Sequence, residues 1–347
     1  MANASAPLDA LVIGAGPVGL WQGFQLGLQG LHFELVDALP HPGGQCAELY
    51  AEKPIYDIPG LPHTSGQGLV QALLEQLRPF APRMSLAHTV SQLTPLTDEI
   101  WQVKAQGPEG VRQWQTRCVI IAAGVGAFLP RTLALEGLPA LLGHQAWHEG
   151  HDWPHWRGQR VVFAGEGEAA LQGALDAIEH GAQSVQLLHR REQFSAPEAT
   201  VAAWQAACAQ GRAQFVAGQA TGLDLTDGRL QGLQYLDGAG QSQHLSCDHL
   251  VMALGLSPKL GPISDWGLAM ARKQLVVDPA RFATSAPGVY AVGDINTYPG
   301  KKKLIVCGFH EATLAAFDVL ERVRPGQNHL LQYTTTSQTL QRRLGIA

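Results

Sequence analysis

The sequence predicts an α/β protein built from two Rossmann-like, three-layer dinucleotide-binding domains. Three observations support this class. A G-x-G-x-x-G turn follows a short apolar run near the N-terminus, a G-x-G-x-x-A turn follows a second apolar run near the middle of the chain, and several later apolar runs also end in glycine. The length of 347 residues suits two domains of about 150 residues each.

The composition favours a globular chain and excludes several classes of function. Apolar residues make up 46% and charged residues 15%, which is typical of neither a disordered chain nor a coiled coil. A net charge of -5 argues against binding of nucleic acid or anionic membrane over the whole surface. No apolar run approaches the ~18 residues of a membrane span. The five scattered cysteines contain no C-x-x-C pair, so neither a disulfide framework nor a zinc site is indicated. We therefore expect a soluble, cytoplasmic protein without nucleic-acid or membrane partners.

The first glycine turn lies in the setting that a dinucleotide-binding βαβ unit requires. It is flanked by an expected strand at 10–13, a helix to about residue 30 and a strand at 33–36. Gly14 would make the tight turn, Gly16 would let the backbone approach a pyrophosphate, and Gly19 would let helix and strand pack closely. Asp37, 23 residues after the first glycine, can accept hydrogen bonds from ribose hydroxyls but would repel a 2′-phosphate. This site therefore suits FAD or NAD.

The second glycine turn is flanked by the same kinds of element as the first, but the strand after its helix ends in different residues. An expected strand at 161–163, a helix to about residue 181 and a strand at 185–188 flank Gly165, Gly167 and Ala170. The later strand ends in His189, Arg190 and Arg191 rather than in an acid. Guanidinium groups bind phosphate in a bidentate manner, so this site is expected to prefer NADPH over NADH. The alternative is a pair of solvated arginines at a strand end.

Three further apolar runs predict buried strands that end in glycine. They cover residues 119–124, 250–255 and 288–294. The first ends in Gly124. The last ends in Gly293 and Asp294, a carboxylate placed either to bind a ligand hydroxyl or to make a turn. A helix is expected from about residue 308 to near residue 323.

Three other segments carry a resemblance to a known family. They are GGQCAELYAEKPIYD at 43–57, GDINTYPGKKK at 293–303 with GFHEA at 308–312, and YTTTS at 333–337. With the two glycine turns, they make the chain resemble the two-dinucleotide-binding flavoproteins to which thioredoxin reductase belongs. Within that family it resembles the thioredoxin-reductase-like ferredoxin (flavodoxin)–NADP+ reductases. The resemblance implies a discontinuous FAD domain at 1–122 and 288–347, with a C-terminal flavin-covering extension, and an inserted NADPH domain at 123–287.

The resemblance also implies the roles of particular residues. FAD would be held by Gly14, Gly16, Pro17, Gly19, Asp37, Gln45, Tyr50, Gly124, Gly293, Asp294 and Thr334. NADPH would be held by Gly165, Gly167, Ala170, His189, Arg190 and Arg191. Tyr50 and Tyr333 would be the catalytic residues in the sense that they stack on the two faces of the flavin, with no acid or base required. NADPH would give a hydride to the flavin, and single electrons would then pass to ferredoxin or flavodoxin.

The chain lacks the disulfide through which thioredoxin reductases act. The position of their redox C-x-x-C motif falls on residues 148–151, which are His-Glu-Gly-His. A dithiol relay needs a thiolate that attacks a disulfide, so this output is excluded. Two alternatives stay open: an NADPH-dependent reductase of low-molecular-weight disulfides, and a flavin redox sensor without turnover. Cys46 has no partner at nearby spacing and is expected to be a packed thiol.

A group of possible zinc ligands surrounds the missing motif. It consists of His148, Glu149, His151, Asp152 and His155. We expect a solvated connecting segment there and no metal. The second glycine turn also departs from the family pattern, because Glu166 and Glu168 place two carboxylates beside the expected pyrophosphate, and they should weaken its binding mildly.

Ferredoxins and flavodoxins are acidic, so they should dock on a basic face. Residues 301–347 carry seven basic and three acidic side chains. The candidate docking residues are Lys301, Lys302, Lys303, Arg342 and Arg343. The alternative is that these are scattered solvated charges or contacts to the FAD phosphates. The resemblance further implies a homodimer.

Overall fold

The computed structural model describes residues 6–148 and 156–346, and the chain divides into two compact units. Unit 1 comprises Met1–Ala127 and Lys259–Ala347, and unit 2 comprises Phe128–Pro258. Residues 259–287 were predicted to belong to the inserted domain, but they belong to unit 1. The reason is packing, because Leu275 and Phe282 are buried in the core of unit 1.

The N-terminal part of unit 1 alternates strands and helices and then forms three long strands. Its elements are β1 (Leu8–Ile13), α1 (Pro17–Leu28), β2 (Phe33–Val36), α2 (Gly44–Glu48), β3 (Pro54–Ile55), β4 (Thr64–Ser65), α3 (Gly66–Leu77), β5 (Arg83–Ser85), β6 (Thr89–Pro95), β7 (Trp101–Gly107) and β8 (Gly110–Ile121).

Unit 2 repeats the alternation and ends in an antiparallel meander. Its elements are β9 (Ala127–Pro130), α4 (Leu138–Leu141), β10 (Ala146–Trp147), β11 (Arg160–Ala164), α5 (Glu168–Glu179), β12 (Ser184–His189), α6 (Glu198–Ala209), β13 (Gln214–Thr226), β14 (Arg229–Asp237), β15 (Ser242–Ser246), β16 (His249–Met252) and β17 (Leu256–Lys259).

The chain then returns to unit 1. The elements there are β18 (Met270–Ala271), β19 (Gln274–Val276), β20 (Val289–Ala291), β21 (Asn296–Thr297), α7 (Ile305–Val323) and α8 (Gln338–Arg343). Short 3-10 turns lie at Arg78–Phe80, Gly261–Asp265 and Gly293–Ile295.

Each unit is organised around one mostly parallel sheet. In unit 1 the strand order is β5-β2-β1-β8-β7-β6, with β20 also paired to β8. The strands β5, β2, β1, β8 and β20 are parallel to one another, whereas β7 pairs antiparallel with both β8 and β6. In unit 2 the order is β10-β16-β11-β12-β13-β14-β15, parallel through β13. Because ligands bind outside the carboxyl ends of parallel strands, this architecture gives each unit one edge for a nucleotide.

The sequence-predicted helix near residue 308 begins three residues earlier, at Ile305. Its inner face carries small and apolar residues at helical spacing: Gly308, Ala312, Ala315, Ala316, Val319 and Val323. No helix within the described ranges is long and apolar enough to cross a bilayer.

Candidate functional site

The first glycine turn forms a helix N-terminus with room for a ligand. A Cβ on Gly14 would lie 2.4 Å from the carbonyl oxygen of Ala122, and a Cβ on Gly19 would lie 1.9 Å from the carbonyl oxygen of Gly14. Both positions therefore require glycine for packing. Gly16 differs, because its Cβ would come no closer than 3.8 Å to any neighbouring group and its φ of −70° suits any residue. Pro17 opens α1, where a missing N–H costs nothing.

The carboxylate of Asp37 lies against this turn. Its Oδ2 accepts a hydrogen bond from the backbone N of Ala15 at 2.5 Å, and its Oδ1 accepts one from the backbone N of Leu39 at 2.8 Å. Burial raises the pKa of Asp37, and the two backbone donors oppose that shift. An acceptor held beside the glycine turn is what ribose hydroxyls require.

A second loop closes over the first. Gly43 and Gly44 have positive φ values of 118° and 52°, and a Cβ on Gly44 would lie 3.0 Å from Cα of Gly16. The side chain of Gln45 reaches Gly124, since a Cβ there would lie 3.0 Å from Nε2 of Gln45. The loops after β1, β2 and β8 therefore meet at one edge of the sheet.

The loop after β20 joins the same edge through α7. Gly293 has a φ of 80°, and a Cβ on it would lie 3.4 Å from the side chain of Val18 in α1. Gly308 of α7 packs against the same valine, which would be 2.4 Å from a Cβ there. The N-terminal ends of α1 and α7 are thus brought together beside Asp294. Burial raises the pKa of Asp294, and the charges of Lys301 and Lys303 act against that shift.

A buried ion pair that was not predicted from the sequence fixes this turn. Glu311 is fully buried and accepts hydrogen bonds from the backbone N of Gly293 at 2.7 Å, from Nδ2 of Asn296 at 2.8 Å and from the hydroxyl of Tyr298 at 2.9 Å. Lys301 pairs with the same carboxylate. Its Nζ also donates to the carbonyl oxygen of Gly293 at 2.9 Å.

The backbone N–H of Gly293 therefore donates to the carboxylate of Glu311, and its carbonyl oxygen accepts from the ammonium group of Lys301. One signal was present in the sequence: Glu311 occupies a buried position on the inner face of α7, between Gly308 and Ala315. A carboxylate among such residues has to be paired, but its cationic partner cannot be chosen without the path of the intervening turn.

Tyr50 lies beside a cavity at this edge. The cavity has a volume of about 470 Å³ and is lined by Tyr50, Lys53, Pro54, Ile55, Tyr56, Asp57 and Ile305. Ile305 is the first residue of α7, so the positive end of that helix faces the cavity wall. Burial raises the pKa of Tyr50, to which the hydrogen bond from Sγ of Cys46 at 3.5 Å contributes. Burial also raises the pKa of the Cys46 thiol, which is 1% exposed, as expected for a packed thiol and not a nucleophile.

Within the described residues, no contact places Tyr333 or Thr334 beside Tyr50. The ring of Tyr333 is 64% exposed, and it precedes α8. Arg343 of α8 donates to the carbonyl oxygen of Leu28, at the C-terminal end of α1 and so at the opposite end of that helix from the glycine turn. The second flavin-stacking position therefore stays a prediction.

The second glycine turn, in unit 2, has the same arrangement as the first, with one glycine packed against backbone and one facing open space. A Cβ on Gly165 would lie 2.3 Å from the carbonyl oxygen of Ala253 and 3.1 Å from Cβ of Ala170, so these positions serve packing. A Cβ on Gly167 would meet nothing within 4 Å, and the φ of this residue is −85°. The loop leaves open the space in front of the N-terminus of α5, where backbone N–H groups favour an anion.

The three residues lie where the sequence predicted, since His189 is the last residue of β12 and Arg190 and Arg191 follow it. Arg190 and Arg191 are exposed, whereas the His189 side chain is 18% exposed. Nε2 of His189 lies 3.2 Å from Oε2 of Glu166, a residue of the glycine turn.

The possible zinc ligands cannot be assembled from the described residues. His151 and His155, with Glu149 and Asp152, lie outside the described residues, and only His148 lies within them. Within residues 6–148 and 156–346, no three His, Cys, Asp or Glu side chains are grouped to hold a metal ion.

Comparison with known proteins agrees with this geometry. A family model described as pyridine nucleotide-disulphide oxidoreductase matches residues 8–315. The chain belongs to the pyridine nucleotide-disulphide oxidoreductase family. The predicted family resemblance is thereby confirmed.

Relatives within this oxidoreductase family match almost the whole chain. A protein of Acidovorax sp. named ferredoxin--NADP reductase is 55% identical over 98% of this chain and 96% of its own length. A protein of the same name from Paracidovorax citrulli is 50% identical over 98% and 96%.

Solved structures confirm the predicted fold class. Bacillithiol disulfide reductase from Staphylococcus aureus has a TM-score of 0.63 at 15% identity, covering 92% of this chain and 99% of its own. Thioredoxin reductase from Lactococcus lactis, in the FR conformation, has a TM-score of 0.58 at 22% identity, covering 91% and 99%. At these identities the likeness concerns the fold alone.

The structure corrects part of the predicted docking surface. The Lys301 side chain is 7% exposed and committed to Glu311, and Arg343 is half-buried against the end of α1. Lys301 is therefore not available to a partner protein, and Arg343 is held against α1. Lys302, Lys303 and Arg342 are exposed.

Proposed function

We propose that this protein is an FAD-dependent enzyme that transfers electrons between NADPH and ferredoxin. The observation that carries the proposal is the 55% identity, over 98% of the chain, to a relative named ferredoxin--NADP reductase. Flavodoxin as a second acceptor and a homodimeric state complete the proposal, and both rest on the family resemblance.

The edge of unit 1 suits FAD. Gly16 leaves space at a helix N-terminus, Asp37 offers an acceptor for ribose, and Tyr50 supplies an aromatic ring at the cavity wall. When bound, FAD takes two electrons from NADPH as a hydride and releases them singly. Tyr50 would orient the ring system, and the N-terminus of α7 would favour negative charge on it.

The edge of unit 2 suits NADPH. Gly167 leaves the corresponding space at the N-terminus of α5, and Arg190 and Arg191 offer exposed guanidinium groups beyond β12. The positions expected for a redox-active C-x-x-C are His148 to His151, so electrons have no thiol route there and must leave directly from the flavin.

Replacing Arg190 and Arg191 by Ala should weaken NADPH binding selectively. Each charge-assisted hydrogen bond to phosphate contributes about 1.5–3 kcal/mol, so KM for NADPH should rise by roughly tenfold or more. KM for NADH should change little, because NADH has no 2′-phosphate. Steady-state kinetics with a dye acceptor measures both. An equal rise for the two nucleotides would place the 2′-phosphate elsewhere.

Lys302 and Lys303 are proposed to steer the acidic partner. They precede Ile305, which lines the cavity beside Tyr50, and Lys53 lines that cavity directly. Exchanging Lys302 and Lys303 for Glu should lower kcat/KM for ferredoxin and remove most of its decline with rising salt. Turnover with a small neutral dye is the control and should stay unchanged. If dye and ferredoxin turnover fall together, the two lysines do not dock the partner.

A further inference from the structure

The second glycine turn carries a negative side chain where the proposed cofactor is itself negative. Glu166 lies between Gly165 and Gly167, and its Oε2 is 3.2 Å from Nε2 of His189. His189 is among the residues proposed to hold NADPH, and it directly precedes Arg190 and Arg191, which are proposed to bind the 2′-phosphate. This contact therefore joins the expected pyrophosphate loop to the expected phosphate site, within one unit of the protein.

Both ring nitrogens of His189 lie within hydrogen-bonding distance of oxygen atoms. Nδ1 lies 2.9 Å from the carbonyl oxygen of Arg191, while the backbone N of Arg191 is farther from it, at 3.5 Å. The other nitrogen faces the carboxylate of Glu166. An imidazole nitrogen that donates its proton to Glu166 is not available to donate to a phosphate oxygen. Glu166 thus occupies a hydrogen-bonding position of His189 that would otherwise be open to a phosphate.

The backbone of Glu166 is held in place as well. Its carbonyl oxygen accepts a hydrogen bond from the backbone N of Ser195 at 2.9 Å, and Gly167 forms an isolated β-bridge with Ser195. The carboxylate is carried by a fixed loop, although the side chain itself is 54% exposed and free to turn away when a stronger anion arrives.

We propose that Glu166 is an internal competitor for His189, which the 2′-phosphate of NADPH must displace. The inference rests on the proposed function, because it requires NADPH at the second site. The cost of displacing the carboxylate lowers the affinity for NADPH. It does not lower the affinity for NADH, because NADH has no 2′-phosphate to compete for His189. Glu166 is therefore a specificity-determining residue that reduces the preference for the phosphorylated cofactor.

The test is Glu166→Gln in the FAD-loaded protein, with NADP+ and NAD+ titrated separately by calorimetry at low ionic strength. An exposed contact of this kind is a modest interaction, so Kd for NADP+ should fall by about three- to fivefold more than Kd for NAD+. Glu168→Gln is the matched control, because it removes the same charge two residues away from an exposed position outside the pair. The control should affect both nucleotides alike.

A second variant separates competition from general repulsion. In a His189→Gln background, Glu166→Gln should no longer change the preference for NADP+ over NAD+. Equal gains for both nucleotides in Glu166→Gln, or no gain, would overturn the inference while leaving the cofactor assignment standing. A wild-type protein that binds NAD+ as tightly as NADP+ would instead overturn the assignment of NADPH itself.

Discussion

Replacing Lys301 by Met is expected to destabilise unit 1 and to release FAD. The change leaves Glu311, which is fully buried, without its cationic partner. Breaking a buried pair by removing one member costs about 3–5 kcal/mol. The carbonyl oxygen of Gly293 also loses the donor that holds it beside Asp294. The variant should purify with little FAD and melt at a clearly lower temperature, as measured by flavin absorbance and thermal unfolding.

Two further variants test whether the effect is specific to the buried pair of Lys301 and Glu311. Lys302→Met removes the same charge from the neighbouring exposed position and should leave the melting temperature unchanged. Adding Glu311→Gln to Lys301→Met removes the unpaired charge while keeping an acceptor for the N–H of Gly293, so it should recover much of the lost stability. A Lys301→Met protein as stable as wild type, or a double variant no better than the single one, would show that the pair does not hold the turn.

Replacing Gly16 by valine should impair binding of FAD, and replacing Gly167 by valine should impair binding of NADPH. Both glycines have ordinary φ values, and a Cβ would meet only Cα of Gly44, at 3.8 Å, in the case of Gly16 and nothing within 4 Å in the case of Gly167, so the substituted chains should fold. The added side chain would instead occupy the path of a pyrophosphate. Overpacking of about 1–3 kcal/mol corresponds to roughly a 5- to 150-fold loss of affinity. Gly16→Val should purify without its yellow colour, and Gly167→Val should be yellow but slow to be reduced by NADPH.

Gly19→Val is the contrasting variant. Its Cβ would lie 1.9 Å from the carbonyl oxygen of Gly14, so substitution should disrupt folding of unit 1 and not only FAD binding. Circular dichroism and flavin content separate the two effects. A Gly16→Val protein that retains stoichiometric FAD would remove that turn from the binding site.

The predictable parts of the site are those that depend on local backbone rules. The two glycine turns are recognisable because their motif residues lie within about five positions of one another, and the contacts of Gly19 with Gly14 and of Gly165 with Ala170 are imposed by any strand–turn–helix unit of this kind. The start of α7 is less local: Ile305 and Val306 are β-branched and apolar, which favours a strand, and the helix begins there because tertiary packing against α1 overrides that preference.

Features that join distant segments were not predictable from the sequence. The pair of Lys301 and Glu311 depends on how the turn after β20 folds back over α7. The pairing of Glu166 with His189 depends likewise on the register of β11 and β12. The assignment of residues 259–287 to unit 1 depends on side chains such as Leu275, which is buried in a core whose other strands lie far away in the sequence.

The most direct measurement is anaerobic stopped-flow mixing of the purified protein with NADPH, followed by oxidised ferredoxin. The account predicts that the visible flavin band bleaches on the first mixing and recovers on the second as ferredoxin is reduced, in protein whose thiols have been alkylated beforehand. A protein that reduces disulfides but not ferredoxin, or that binds NADPH while its flavin band persists, would contradict it.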